Sequence, residues 1–184
     1  MKMNIKSYFG ISALLICLGA CTSTTQQTSQ VTADSIVKVM EDTNAVAVEF
    51  KAAKTGMLYA GYITLKDALV ASNFEQAKIA AQGLSPLLSK HAGCENTAII
   101  SQQIENAKDL AAQRVAFTTL SSDLIALFKN AELQSGTIFI QHCPMANKGD
   151  GGDWLSTNRL VENPYYGSQM MNCGSVIEEI KAAK

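Results

Sequence analysis

Four sulfur-bearing residues near the end of the chain form two short motifs that mirror each other. Cys143 and Met145 flank a proline, and Met171 and Cys173 flank an asparagine. In an extended chain, residues i and i+2 point to the same side, so each motif should project one thiol and one thioether together. If the two segments lie side by side, four sulfurs converge. Soft ligands of this kind select Cu(I), and thiolate-rich sites also take zinc.

Two neighbouring residues, His142 and Met170, are weaker candidates for the same site. Alternation along a strand puts His142 on the opposite side from Cys143, so His142 joins the sulfurs only if the chain bends at Pro144. Two thiolates with one Cu(I) carry a single net negative charge, which is easier to remove from water than a dianion.

The same two cysteines have a purely structural interpretation. A Cys143–Cys173 disulfide would close a loop of about 30 residues and stabilise the fold by about 3–4 kcal/mol on the chain-entropy estimate. The methionines would then be packing residues, which is their commoner role. A reducible pair could serve both states, because a free dithiol binds metal and a disulfide does not. Both interpretations therefore stay open from the residues alone.

Other residues of reactive types give weaker signals. His91 and Cys94 are spaced so that a turn could place both on one metal ion, but two ligands are a weak indication. The acidic, glycine-rich run 149–153 lacks the ligand spacing of a calcium loop. The chain has only two histidines and shows no Ser-His-Asp pattern and no phosphate loop, so we do not expect an enzyme.

The N-terminus predicts export and lipidation. Residues 1–20 begin with lysines, continue with a short apolar run and end in small residues, as in a signal peptide. Leu-Gly-Ala before Cys21 resembles a bacterial lipoprotein cleavage box, which implies diacylation of Cys21 and a lipid anchor in the membrane. Thr22 after it indicates the outer membrane, facing the periplasm. The alternative is an ordinary secretory signal cut near Ala20.

Composition divides the rest of the chain. Residues 21–33 are polar and uncharged after the lipidated Cys21, which predicts a flexible linker. Residues 34–184 suit a single domain. The net charge of −1 argues against nucleic acid as a partner. Cys17 would leave with the signal peptide and Cys21 would carry the lipid, so three cysteines remain: Cys94, Cys143 and Cys173. Disulfides persist in an exported domain, but three cysteines cannot all pair within one chain.

Apolar residues at helical spacing predict a mainly α domain, an antiparallel bundle of about four helices. The expected stripes are Leu58, Tyr62, Leu65 and Leu69; Phe74, Ala77, Ala81, Leu84 and Leu88; Ile100, Ile104, Ala107, Ala111 and Val115; and Leu124, Leu127 and Phe128. Asn96 or Thr97 is expected to cap the third helix, and the fourth is expected to begin near Thr118 or Ser121.

The pattern changes at both ends of this bundle. The β-branched and aromatic residues 137–142 predict a strand, which opens a small irregular or β C-terminal metal-binding module over residues 137–174. Residues 175–183 show helical spacing and predict a last helix. Before the bundle, residues 35–41 predict a short helix and residues 45–50 an extended piece.

Several stretches together resemble the domain of unknown function 3347 family. They are "YITLKDALVASNFEQAKIAAQGL", "CPMA", "GGDWLS", "NPYYG" and "MMNCG", and the resemblance covers roughly residues 52–180. It implies an envelope protein or lipoprotein related to domains appended to periplasmic adaptors of heavy-metal efflux systems. It also implies metal handling, with the Cys-Pro-Met of the family on Cys143, Pro144 and Met145, and its Met-x-Cys-Gly on Met171, Cys173 and Gly174.

The sequence and the resemblance together predict a lipid-anchored periplasmic protein that binds Cu(I), or another soft metal, in buffering, delivery or efflux. The expected metal ligands are Cys143, Met145, Met171 and Cys173, with His142 and Met170 as weaker candidates. The expected partners are the membrane, through Cys21, and a heavy-metal efflux adaptor or a copper-accepting protein. The alternative is an envelope interaction protein in which Cys143 and Cys173 form a structural disulfide.

Overall fold

The structure is a computed structural model that describes residues 47–183. The predicted signal peptide, the lipidated Cys21, the linker and the short helix at 35–41 lie outside the described residues. Of the extended piece predicted at 45–50, the last two residues form a strand, Glu49–Phe50.

The described chain is mainly α-helical and carries a β part at its C-terminal end. The helices are α1 (Ala53–Val70), α2 (Phe74–Ser89), α3 (Glu95–Glu105) and α4 (Leu110–Lys129). The strands are β1 (Glu49–Phe50), β2 (Leu133–Ser135), β3 (Thr137–Cys143), β4 (Gly152–Ser156) and β5 (Ser175–Lys181). Strands β1 and β2 pair with each other, and the other three form an antiparallel sheet in the order β4-β3-β5.

The first two apolar stripes form the core as predicted. Leu58, Tyr62, Leu65 and Leu69 of α1 are buried, as are Ala77, Ala81, Leu84 and Leu88 of α2. The chain passes between these helices at Ser72, which has a φ of 54°, and Asn73, whose side chain accepts a hydrogen bond from the backbone N–H of Gln76. This cap satisfies one of the free N–H groups at the start of α2.

The predicted boundary between the third and fourth helices is wrong. Helix α3 ends at Glu105 and α4 begins at Leu110, so the expected stripe through Ala107 and Val115 does not exist, and Val115 is 68% exposed. Two local hydrogen bonds explain the break: Asn106 donates to the carbonyl of Gln102, and Asp109 accepts from the N–H of Ala112. Short polar side chains compete with the helix in this way.

The N-cap residue of α3 is neither Asn96 nor Thr97, so this prediction is also wrong. Cys94 takes the N-cap position and makes no side-chain capping bond. Thr97, one of the two residues expected to cap, is buried and donates its hydroxyl hydrogen to Asp123 of α4 at 2.9 Å. The hydroxyl therefore joins two helices instead of closing the end of one.

The helix predicted at residues 175–183 is strand β5 instead. Its spacing of Val176, Ile177 and Ile180 suits either structure over so few residues, and pairing with β3 decides for the strand. The register shifts between Ile140 and Gln141, where β5 carries one extra residue. Ile177 is that residue, and its side chain is 55% exposed.

The two faces of the three-stranded sheet have different neighbours. Residues opposite each other on paired strands share a face, so Ile140 lies with Leu155, and His142 lies with Asp153. This face meets α4, because His142 and Asp153 line a small cavity with Thr118 and Ser122. The other face carries Gln141, Cys143 and Trp154. We call it the thiol face.

Candidate metal centre

Strand β3 and the segment before β5 bring Cys143 and Cys173 together on the thiol face. Their sulfur atoms are 3.0 Å apart, although 30 residues separate them in sequence. Cys143 is fully buried at the end of β3, while Cys173 is half-buried in an irregular connection. One thiol therefore sits on the middle strand of the sheet, and the other sits in an irregular connection before β5.

The distance between the sulfurs lies between the values for two kinds of chemistry. A disulfide bond is about 2.03–2.05 Å long. A metal ion bound to both thiolates at about 2.3 Å needs the sulfurs roughly 3.7–4.6 Å apart, from tetrahedral to linear coordination. From 3.0 Å, a disulfide requires the sulfurs to approach by about 1 Å, and a bound metal ion requires them to separate by roughly 0.7–1.6 Å.

The contact between the thiols also affects their protonation. The hydrogen bond with Cys143 raises the pKa of Cys173, and burial together with the charge of Cys143 acts in the same direction. A metal ion that binds both sulfurs as thiolates must displace their thiol protons, including the one in this hydrogen bond. Metal uptake is therefore expected to strengthen as the pH rises towards the thiol pKa.

The two methionines nearest the thiols are not arranged as an extended chain would place them. Strand β3 ends at Cys143, and Met145 lies in the following turn with a side chain that is 55% exposed. Met171 also lies in a turn, and both Met170 and Met171 are half-buried. The alternation argument therefore does not apply to either motif, and the turns set the direction of the thioethers.

His142 points away from the thiol face, as the alternation predicts. Its Nδ1 atom is 2.6 Å from a carboxylate oxygen of Asp153, its neighbour on β4. The pair borders a cavity of about 190 Å³ that also includes Asp150 and Ser122. Because the chain does not bend His142 back towards Cys143, this imidazole is separate from the thiol pair.

Asn163 holds the backbone of Cys173 in place. Its side chain is fully buried and donates a hydrogen bond to the Cys173 carbonyl at 2.8 Å. The Asn163 side-chain oxygen accepts from the N–H of Tyr165 at 2.8 Å, and its own N–H donates to the carbonyl of Met171 at 2.9 Å. Asn163-Pro164 is a local turn signal, but nothing in the sequence marks Asn163 as a residue that positions a thiol.

The segment from Asn163 to Gly167 is in turn fixed on the helices. Arg114 of α4 donates to the carbonyls of Pro164 at 2.9 Å and Leu69 at 3.1 Å, and to the Ser72 hydroxyl at 2.9 Å. Partial burial lowers the pKa of Arg114. Tyr165 packs against Phe117 of α4, with 5.8 Å between ring centroids. The bundle thus supports the loop that carries the second thiol.

Replacing Gly167 with alanine is expected to destabilise the protein by about 2–4 kcal/mol. Gly167 has a φ of 57°, and a Cβ there would lie 2.3 Å from the Ser72 hydroxyl and 2.7 Å from the Val70 carbonyl. Gly93→Ala is the matched control, because Gly93 also has a positive φ of 84° but open space around it. Urea unfolding should show a loss of only about 1–2 kcal/mol for the control. Equal losses of stability in the two variants would show that a Cβ at Gly167 does not collide with Ser72 and Val70.

Two polar atoms beside Cys143 on the thiol face are buried and have no hydrogen-bond partner among residues 47–183. They are Trp154 Nε1 and Gln141 Oε1, on residues that face each other across β4 and β3. Gln141 uses its amide hydrogens on the carbonyls of Asn158, Arg159 and Leu160, so it anchors the loop that follows β4. Trp154 is fully buried and packs edge-on against Tyr165.

The described part of the chain holds no conventional metal cluster. Among residues 47–183, no three His, Cys, Asp or Glu side chains stand close enough together to hold one metal ion. Of these residue types, the thiol face supplies two cysteines to the candidate centre.

His91 and Cys94 lie together but away from this centre. The Cys94 sulfur is 3.8 Å from Nδ1 of His91. Both residues line a separate groove of about 890 Å³, whose lining includes neither Cys143 nor Cys173.

The fold and the site define a class of protein: a mainly α bundle whose C-terminal sheet carries a close pair of cysteines. Residues 58–136, which hold most of the helical part, match the family described as "Protein of unknown function (DUF3347)". This confirms the family inferred from the motifs. The Cys-Pro-Met and Met-x-Cys-Gly motifs lie beyond the matched residues.

Comparisons with other proteins add no further relatives. Neither the curated proteins nor the solved structures contain a significant match to this chain. Within residues 47–183, none of the helices is both long and apolar enough to span a bilayer.

Proposed function

We propose that this protein is a lipid-anchored periplasmic protein that binds Cu(I), or another soft metal, and buffers or delivers it. The observation that carries the proposal is the 3.0 Å separation of the Cys143 and Cys173 sulfurs. Two thiols brought together from distant parts of a chain can form a disulfide or bind a metal ion, and soft sulfur ligands favour Cu(I).

In this proposal Cys143 and Cys173 are the principal ligands, and Met145 and Met171 complete the coordination. The exposed Met145 side chain lies at the surface of the module, where an incoming ion would first meet a thioether. Met170 is an alternative to Met171, since both are half-buried in the turn before Cys173. His142 has the weakest support, because Asp153 holds its ring on the opposite face of the sheet.

The cellular setting of the proposal comes from the sequence. Cys21 would carry the lipid anchor and hold the domain at the outer membrane, facing the periplasm. The partner would be a heavy-metal efflux adaptor or a protein that accepts copper. We do not assign an enzymatic activity.

A competition titration tests the copper proposal. Protein from Thr22 to Lys184 lacks Cys17 and Cys21 but keeps every described residue, and it is titrated with Cu(I) against a chromogenic chelator, reduced and without oxygen. We expect one tightly bound Cu(I), and a loss of at least a hundredfold in affinity, about 2.7 kcal/mol, for Cys143→Ser or Cys173→Ser. Met145→Leu and Met171→Leu should each weaken binding about tenfold.

Cys94→Ser is the matched control for these variants. It removes a thiol that lies outside the candidate centre and should leave the tightest Cu(I) site unchanged. If the double variant Cys143→Ser/Cys173→Ser competes for Cu(I) as well as the parent protein does, the assignment is wrong.

The second candidate function is an envelope interaction protein whose C-terminal module is stapled by a disulfide. The same short distance between the sulfurs favours it, because adjacent thiols in an exported domain tend to oxidise. It predicts that the reduced parent protein also fails to compete for Cu(I), and that oxidation raises the free energy of unfolding by about 3–4 kcal/mol.

A further inference from the structure

The two thiols of the candidate centre differ in how far the solvent reaches them. Cys143 is fully buried at the end of β3, whereas Cys173 is partly exposed in the connection before β5. Two of its chain neighbours, Asn172 and Ser175, are exposed. A molecule that arrives from solution therefore meets Cys173 first.

Packed side chains close the space beside Cys143 towards β4. Gly152 faces Cys143 across the two strands. A Cβ at Gly152 would lie 2.7 Å from the ring of Tyr165 and 3.0 Å from the Cβ of Ala146, and both of these residues are buried. Because there is no room here for even one extra carbon atom, a small molecule cannot reach Cys143 from this side.

The two thiols are nevertheless close enough to react with each other, since their sulfur atoms are 3.0 Å apart. Reacting atoms held about 3–3.5 Å apart are placed for an intramolecular step, which has a far higher effective concentration than a reaction with a thiol in solution. In thiol–disulfide exchange, a thiolate attacks one sulfur of a disulfide and the other sulfur leaves. An accessible thiol and a buried thiol beside it can therefore act one after the other.

We propose that Cys173 is a modification site for small disulfides and that Cys143 is its resolving thiol. In the first step the Cys173 thiolate attacks one sulfur of a small disulfide, RSSR, so that a mixed disulfide of Cys173 with R forms and one RS⁻ leaves. In the second step the Cys143 thiolate attacks the Cys173 sulfur, which forms the Cys143–Cys173 disulfide and releases the second RS⁻. The protein gives up two electrons and two protons, and the small disulfide becomes two molecules of RSH.

Reduction follows the same order in reverse. A small thiolate attacks the accessible sulfur, that of Cys173, and Cys143 leaves first as a thiolate. The exchange would switch the candidate centre, because thiolates bind a metal ion and a disulfide does not. This switching role rests on the copper proposal, whereas the order in which the two thiols react does not.

Glutathione disulfide is the probe, and two single variants are compared. The protein is Thr22 to Lys184 with Cys94→Ser, so that Cys143 and Cys173 are its only cysteines. Adding Cys143→Ser leaves the accessible thiol, and adding Cys173→Ser leaves the buried one, so each variant is the matched control for the other. Mass spectrometry follows the gain of one glutathionyl group. We expect Cys143→Ser to gain it at least about tenfold faster than Cys173→Ser in the folded state, and both to react at the same rate in denaturing urea.

The Cys94→Ser protein with both thiols intact provides a second measurement, which does not depend on how well the variants fold. Samples quenched with acid early in the reaction should carry glutathione on Cys173, and later samples should carry the Cys143–Cys173 disulfide. Peptide mapping distinguishes these species. Equal rates for the two folded variants, or glutathione mapped first to Cys143, would overturn the proposal.

A Cu(I) titration of the same protein, freed of glutathione, tests the switch. The oxidised protein should take up no Cu(I) at the candidate centre, and reduction by a small thiol should restore uptake. If the oxidised protein binds Cu(I) as tightly as the reduced protein, the switching role is refuted. If the reduced protein binds none, the copper proposal fails with it, and the exchange rates still decide the order of the two thiols.

Discussion

Replacing Asn163 with alanine is expected to lower the free energy of unfolding by about 2–5 kcal/mol. The fully buried side chain donates to the Cys173 carbonyl and accepts from the Tyr165 N–H, both at 2.8 Å. Its removal leaves the buried N–H of Tyr165 and the partly buried carbonyl of Cys173 unpaired, and each such group costs up to about 1–3 kcal/mol. Equilibrium unfolding in urea measures the loss directly.

The same substitution should also disturb the thiol pair. With Asn163 gone, the Cys173 carbonyl has lost its anchor, and the sulfur is no longer held 3.0 Å from that of Cys143. If the copper proposal holds, we expect the affinity for Cu(I) to fall at least tenfold. If the disulfide alternative holds, we expect the equilibrium constant for disulfide formation to fall at least tenfold. Asn163→Asp separates the two bonds, because it keeps the acceptor for Tyr165 and loses the donor to Cys173.

Asn158→Ala provides the matched control in the same loop. Asn158 is exposed, and its described hydrogen bonds use only its backbone N–H and carbonyl. Its replacement should change stability by less than about 0.5 kcal/mol. If Asn163→Ala were equally mild, the polar anchor of Cys173 would not exist as described.

Alkaline pH is expected to unfold the protein steeply. Burial raises the pKa values of Tyr59, Tyr62 and Tyr165 well above the usual tyrosine range. Below about pH 10, both the folded and the unfolded chain keep these three protons, so the pH has no effect through them. Above it the unfolded chain loses its protons while the folded protein retains them, and stability falls by about 1.4 kcal/mol per pH unit for each tyrosine, roughly 4 in total.

A single hydroxyl provides the control for this prediction. Tyr59 is buried and its hydroxyl has no hydrogen-bond partner in the described part of the chain, so Tyr59→Phe should cost little at neutral pH. It should reduce the alkaline slope by about one third. Tyr62→Phe differs, because the Tyr62 hydroxyl bonds Ser121 at 2.7 Å and the Leu155 N–H at 3.0 Å, and its loss should be felt at every pH. Urea unfolding at stepwise increasing pH measures both, and an unchanged slope in Tyr59→Phe would contradict this account.

The residues alone identified the helical core because its signal is local. The stripe at 58, 62, 65 and 69 and the stripe from 77 to 88 repeat every three or four residues, and both are buried. The strand at 137–142 was also readable from its β-branched and aromatic residues, and it extends to Cys143. The family followed from motifs that are specific in combination, and the match over residues 58–136 confirms it.

The boundary between the third and fourth helices and the last strand depend on interactions that the spacing of apolar residues does not encode. The break after Glu105 comes from the competing side chains of Asn106 and Asp109, while the apolar spacing continues across it. Residues 175–181 fit a helix or a strand equally well, and β3 selects the strand by offering an unpaired edge.

The sequence by itself determined which residues carry sulfur, and so the kinds of chemistry open to the module. Tertiary structure decided which of them meet. Cys143 and Cys173 come together because β3 and β5 pair, and because Asn163, fixed through Arg114 and Tyr165 to the bundle, holds the intervening loop. His142 is excluded because Asp153 faces it on the other side of the sheet. Such contacts join residues tens of positions apart, and no local pattern of side chains encodes them.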